Sequence, residues 1–133
     1  MSVYVTDTHP LVYYFTRHHS KLSRRALRAF QQAERGDAFI YVPAVALWEV
    51  SRLEKEGEIK LREPYEDWAD AMLAQPAFEC APLDEKIIAE ARNYNFNRDV
   101  FDAAIVATAK LRDVPLITRD EDITDSGIVD IWW

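Results

Sequence analysis

Residues 99–120 read DVFDAAIVATAKLRDVPLITRD, and the fold follows from them. Asp99 suits the N-cap of a helix that reaches Leu111. Phe101, Ala103 through Ala107 and Ala109 make that helix apolar nearly all round, which predicts that it is buried. Val114 to Thr118 then reads as a short apolar strand, with Arg119 and Asp120 at its end. A buried helix feeding directly into a strand is the unit from which α/β proteins are built.

The same alternation extends to both termini. Residues 3–6 predict a first strand ending at Asp7, with Thr8, His9 and Pro10 opening a turn. Ser20 or Ser23 can cap a helix running to about Arg35, with Leu22, Ala26, Ala29, Phe30 and Ala33 as its apolar stripe and Gly36 as its stop. Residues 39–42 form a strand. Pro43 fits the first turn of a helix from Ala44 to Glu56, closed by Gly57. Pro64 starts another, with Tyr65, Trp68, Ala69 and Met72 on one side. A strand over 78–81, a helix from Asp84 to about Asn93 and a last strand over 128–132 complete the reading. Strands separated by helices predict one α/β domain over residues 1–133, a parallel sheet with helices on both faces.

Bulk properties narrow the classes. With 133 residues, 49% hydrophobic and 29% charged, the chain can build a core without staples. The single Cys80 cannot form an internal disulfide and excludes cysteine-rich zinc sites, which fits a reducing cytoplasm. Neither a signal peptide nor an apolar run of membrane-spanning length is visible. The net charge of −7 runs against phosphate binding, but it is unevenly spread. Residues 17–35 carry Arg17, Lys21, Arg24, Arg25, Arg28 and Arg35 against Glu34 alone. Such a segment is either a solvated helix face or a place where Arg24, Arg25 and Arg28 contact the phosphates of a nucleic acid.

Most of the 23 acids fall on solvated faces or in loops, Asp122 and Asp125 among them, and four do not. Asp7 and Asp120 end strands, where parallel sheets bind ligands. Glu49 projects between Val45 and Leu53 on the apolar side of its helix. A buried carboxylate there needs a cation or a proton, and an arginine partner is the alternative. Asp102 lies in the first turn of the buried helix, where an acid also favours the helix N-terminus, although the cap at Asp99 already serves that turn. Asp99 itself is read as a cap first and a ligand second. Four converging carboxylates cannot all stay ionised without a compensating cation. Oxygen ligands without a His or Cys cluster suit Mg²⁺ or Mn²⁺, which can activate water against a phosphodiester.

These residues together resemble a known family. Asp7-Thr8-His9, Leu47-Trp48-Glu49-Val50, Asp99-Val100-Phe101-Asp102 leading into Ile105 to Ala109, Leu116 to Asp120, and Ile131-Trp132 are similar in order and spacing to prokaryotic PIN domains of the VapC toxin type. The resemblance covers essentially the whole chain. It implies a three-layer α/β/α sandwich, Mg²⁺- or Mn²⁺-dependent endoribonuclease activity, a homodimer, and inhibition by an antitoxin encoded alongside. By motif position, Asp7, Glu49, Asp102 and Asp120 match the family's acidic quartet. Asp99 matches a further acid, and Thr118 a hydroxyl that supports the last acid. Two departures stand out: Val100 replaces a usual proline, and Ala103 a frequent arginine.

Other chemistries fit less well. An aspartyl-phosphate phosphatase of the haloacid-dehalogenase type needs a second Asp where His9 stands. A calcium loop at residues 120–125 has Asp125 at the position that requires glycine. No P-loop, HExxH or GxSxG is present. The rival of a different class is a PIN-fold module that binds RNA or protein without cutting.

Overall fold

The computed structural model describes all residues from Met1 to Trp133. Five strands form one sheet: β1 (Ser2–Thr6), β2 (Ala38–Pro43), β3 (Phe78–Ala81), β4 (Leu116–Ile117) and β5 (Ile131–Trp132). All neighbours pair in parallel, in the order β3-β2-β1-β4-β5. Seven helices connect them: α1 (Thr8–Phe15), α2 (Arg24–Glu34), α3 (Ala44–Lys55), α4 (Tyr65–Leu73), α5 (Glu85–Ala91), α6 (Val100–Arg112) and α7 (Glu121–Ser126). None is long and apolar enough to cross a membrane.

Strand side chains alternate between the two faces, so the sheet feeds two cores. Tyr4, Ile40, Val42 and Ile117 face a cluster with α1, α2 and α4, centred on Phe30, Leu11 and Phe78. Val5 and Leu116 face a second cluster with Ile87 of α5, Ile123 of α7 and Ala104 to Ala107 of α6. The result is an α/β/α sandwich. Helix α3 joins both layers, giving Leu47 and Val50 to the first core and Val45 and Ala46 to the second.

Two helices are additional to the sequence reading. Residues 8–10 begin α1 rather than a turn, with Asp7 as N-cap accepting from the Thr8 N–H. Pro10 is compatible because a first-turn residue has no intrahelical partner for its N–H. Residues 121–126 form α7 rather than an acidic loop, capped by Asp120 and ended by Gly127 at φ 67°. Strands β4 and β5 are shorter than predicted, two residues each. The helix predicted to be buried all round is buried only from Ala104 to Ala109; at its start Val100 is 75% exposed.

The topology creates the site. From β1 the chain steps outward to β2 and β3, then crosses to β4 on the other side of β1. Where strand order reverses, the loops leave in opposite directions and open a crevice at the strands' carboxyl ends. Here that crevice lies between β1, which ends at Asp7, and β4, which leads into Thr118 to Asp120. In a parallel sheet every connecting helix starts near the carboxyl edge and runs back down. The first turns of α3 and α6 are therefore carried to that edge as well.

Candidate metal centre

Asp7 is the anchor. It is 8% exposed, and its N–H donates to the Ile117 carbonyl at 2.9 Å, tying the two central strands together at the crevice. Its carboxylate accepts from the Thr8 N–H at 2.8 Å and from the Thr118 hydroxyl at 2.7 Å. Burial raises its pKa, opposed by the bonds from Thr118 and Thr8 and by nearby His9, while Glu49 adds to the rise. Thr118, itself fully buried, also accepts from the Asp120 N–H at 3.0 Å. The family resemblance casts it as support for the last acid. In the fold its hydroxyl holds the first acid's side chain and the last acid's backbone together.

The other acids arrive from three elements. Glu49, on α3, accepts from the Thr8 hydroxyl and stands 3.8 Å from the Arg52 guanidinium. The arginine alternative for Glu49 is thus present but loose, since Arg52 pairs more closely with Glu56, at 2.7 Å. Asp102, on α6, accepts from the Asn97 amide at 2.9 Å. Burial pushes its carboxyl up to about 7 against that hydrogen bond, with Asp99, Asp7 and Asp120 adding to the rise. Asp120 caps α7 by accepting from Ile123 N–H at 2.9 Å. Asp99 caps α6, accepting from the N–H groups of Phe101 and Asp102 at 2.8 and 3.2 Å.

The four predicted acids therefore share one electrostatic neighbourhood: Asp102 feels Asp7 and Asp120, and Asp7 feels Glu49. No three of them stand close enough to hold one ion between them as placed. Each accepts a hydrogen bond from the protein: Asp7 from Thr8 and Thr118, Glu49 from Thr8, Asp102 from Asn97 and Asp120 from Ile123. In chemical kind the donors suit a hard divalent cation, being carboxylate oxygens with no thiolate among them. Asp7, Glu49, Asp102 and Asp120 could hold such an ion, and Asp99 stands beside them as the cap of α6, just as Asp7 and Asp120 cap α1 and α7.

A cleft of about 270 Å³ opens over the Asp7 and Asp120 carboxylates, completed by His9, Tyr13, Thr118 and Arg119 among others. The basic segment contributes nothing to its lining. Arg24, Arg25 and Arg28 are exposed on α2, where Arg25 lies over the Trp132 ring at 3.9 Å. Sequence reasoning passed over Thr8, Tyr13, Asn97 and Arg119. Asn97 and Arg119 each stand within five residues of a predicted acid, the one signal available for them.

A PIN domain family model matches residues 4–127. The chain belongs to the PIN domain family. Solved structures share the fold of this PIN domain over nearly its full length. VapBC2 from Rickettsia felis, bound to a DNA fragment from its promoter, matches with a TM-score of 0.70 at 14% identity, over 97% of this chain and 96% of that one. DNA-bound VapBC from Salmonella typhimurium matches at 0.67 and 13% identity, over 98% and 97%. FitAcB from Neisseria gonorrhoeae matches at 0.64 and 19% identity, over 98% and 96%. At these identities the likeness is one of fold. No curated protein matches the PIN chain by sequence.

Proposed function

We propose that this PIN domain is a Mg²⁺- or Mn²⁺-dependent endoribonuclease and the toxin of a toxin–antitoxin pair. The observation that carries the reading is Asp7, buried at the switch-point crevice and tied to Asp120 through Thr118, with Glu49 acting on it and Asp102 feeling both Asp7 and Asp120 electrostatically. A bound divalent cation there would supply an activated water and neutralise charge on the leaving oxygen. The protein's own part is positional. Thr118 and Thr8 fix the Asp7 carboxylate, Thr8 orients Glu49 through its hydroxyl, and Asn97 orients Asp102. Burial and the neighbouring carboxylates push the Asp102 carboxyl up to about 7, a cost of its charged form that a bound cation would offset. Arg24, Arg25 and Arg28 would meet phosphates farther from the cleft.

The purified protein is expected to cleave RNA with Mg²⁺ or Mn²⁺ and to stop with chelator. Its expression alone should arrest growth, and co-expression of a protein encoded next to it should restore growth, in keeping with the VapBC complexes that share its fold. Soluble protein that binds RNA but never cuts it, with either metal, would establish the non-cutting module instead.

A homodimer belongs to the same proposal. An apolar groove of about 350 Å³ runs between α3, α5 and α6, lined by Trp48, Leu83, Ile88, Val100 and Phe101 among others. Trp48 is 63% exposed and meets Phe101 edge-on at 5.6 Å. A patch this apolar, with Arg92 the one charged residue along it, can pair with its own copy about a two-fold axis. Ile88→Glu and Val100→Glu alter exposed side chains, so they should leave the fold intact while converting a dimer to a monomer in light scattering. A wild type that is monomeric at tens of micromolar, pairing only with the neighbour-encoded protein, rules out self-association.

A further inference from the structure

The cleft over Asp7 and Asp120 does not end at its acids. Tyr13, half-buried on α1, lines it and also lines a second cleft of about 210 Å³ that includes His18, Lys21 and Lys60. Two cations flank the same ring. The Arg119 guanidinium lies 5.6 Å from the ring centroid and the Lys21 ammonium 5.2 Å. Arg119, Lys21 and Lys60 are exposed, and none of them is in an ion pair. In a chain of net charge −7, unpaired cations gathered around one aromatic ring beside an acidic centre call for a polyanionic occupant. Glu58 is the only carboxylate on the second cleft. An aromatic platform set in a cationic groove is how single-stranded nucleic acid is held: the ring stacks a base and the cations follow the phosphates.

We propose that Tyr13 stacks one base of a single-stranded RNA whose phosphates pass over Arg119 and Lys21, from the Asp7–Asp120 cleft into the adjoining cleft at Lys60. This rests on the ribonuclease reading and names the residues that would hold its substrate. A duplex keeps its bases stacked inside and offers none to Tyr13, so the track selects unpaired RNA.

The test is fluorescence anisotropy with a labelled single-stranded oligoribonucleotide in chelator, where nothing is cleaved. Tyr13→Leu should weaken binding roughly tenfold, the worth of one lost base stack. Tyr13→Phe keeps the ring and should bind like wild type. Lys21→Gln with Lys60→Gln should lower the salt dependence of binding by about 0.7 in slope for each lost phosphate contact. Duplex RNA should bind more weakly and equally to wild type and Tyr13→Leu. Unchanged single-strand affinity in Tyr13→Leu, or Tyr13→Phe as weak as Tyr13→Leu, overturns the stack. If Tyr13→Leu fails to fold by circular dichroism, Arg119→Gln and the lysine pair decide, and an unaltered affinity and slope in them overturns the track. The two readings separate cleanly. Tyr13-dependent binding without metal-dependent cleavage ends the nuclease and keeps the track, whereas cleavage without single-strand binding in chelator does the reverse.

Discussion

Asp7→Asn is expected to abolish cleavage, a loss on the order of a thousandfold, equivalent to about 4 kcal/mol of transition-state stabilisation. Asparagine keeps the shape and the acceptor that the Thr8 N–H needs, so the cap of α1 survives. What it removes is a negative charge at the most buried of the four acids. That charge is costly without a cation, since burial already raises the Asp7 pKa. The new amide NH₂ faces the Thr118 hydroxyl, which must accept where it now donates, so the variant should be inactive yet close to wild type in stability in chelator, with an unchanged circular dichroism spectrum. Normal metal-dependent cleavage by Asp7→Asn would remove Asp7 from the site and the quartet with it.

Thermal melts of Asp102→Asn should show two opposite effects. The Asp102 carboxyl titrates at about 7 in the folded protein, driven up by burial and then by Asp99, Asp7 and Asp120. In the unfolded chain it titrates near 3.9. Between these values the folded state holds a proton that the unfolded state has lost, so stability falls as pH rises through that window and levels off above it. At pH 8 without metal, the destabilisation is on the order of 2 kcal/mol, about half the full linkage value because the side chain is partly exposed and screened. Asp102→Asn removes it and should melt several degrees above wild type in chelator at pH 8, with the difference vanishing near pH 4. In wild type, Mn²⁺ at about a hundred times its Kd should add roughly 2.7 kcal/mol, and more at pH 8 than at pH 6, where the proton competes. In Asp102→Asn that gain should shrink or vanish. A lower metal-free melting point with an intact Mn²⁺ shift makes Asp102 a structural residue of the helix start.

The elements that periodicity could find were those with an uninterrupted pattern. Helix α2 shows its stripe from Ala26 to Ala33 and its cap at Ser23, and α3 runs from Pro43 as its composition suggests. Helices α1 and α7 escaped because each is short and opens on residues that also make turns: Thr8-His9-Pro10 in one, Glu121-Asp122 in the other. Both begin at a predicted site acid serving as N-cap. The same aspartate position that marks the end of a strand marks the start of a helix, and local composition shows only one of the two. The overestimate of burial on α6 has a different origin. Val100 is apolar without being covered and Phe101 is only partly buried, because the first turn of a helix projects beyond the core that its later turns pack against.

By itself the sequence determined the α/β alternation and the family, and it singled out the four acids as candidates, because these depend on residue type and on order along the chain. Tertiary structure alone decided which groups serve those acids. Thr118 reaches Asp7 across 111 residues and Thr8 reaches Glu49 across 41, contacts that exist only because β1 sits between β2 and β4. The track was equally hidden. Tyr13, Lys21, Lys60 and Arg119 are ordinary surface residues in sequence, and they meet only when α1 packs beside the end of β4. A hydrogen bond or a stacked cation depends on distances of a few ångströms, and sequence separation carries no information about those until strand order is fixed.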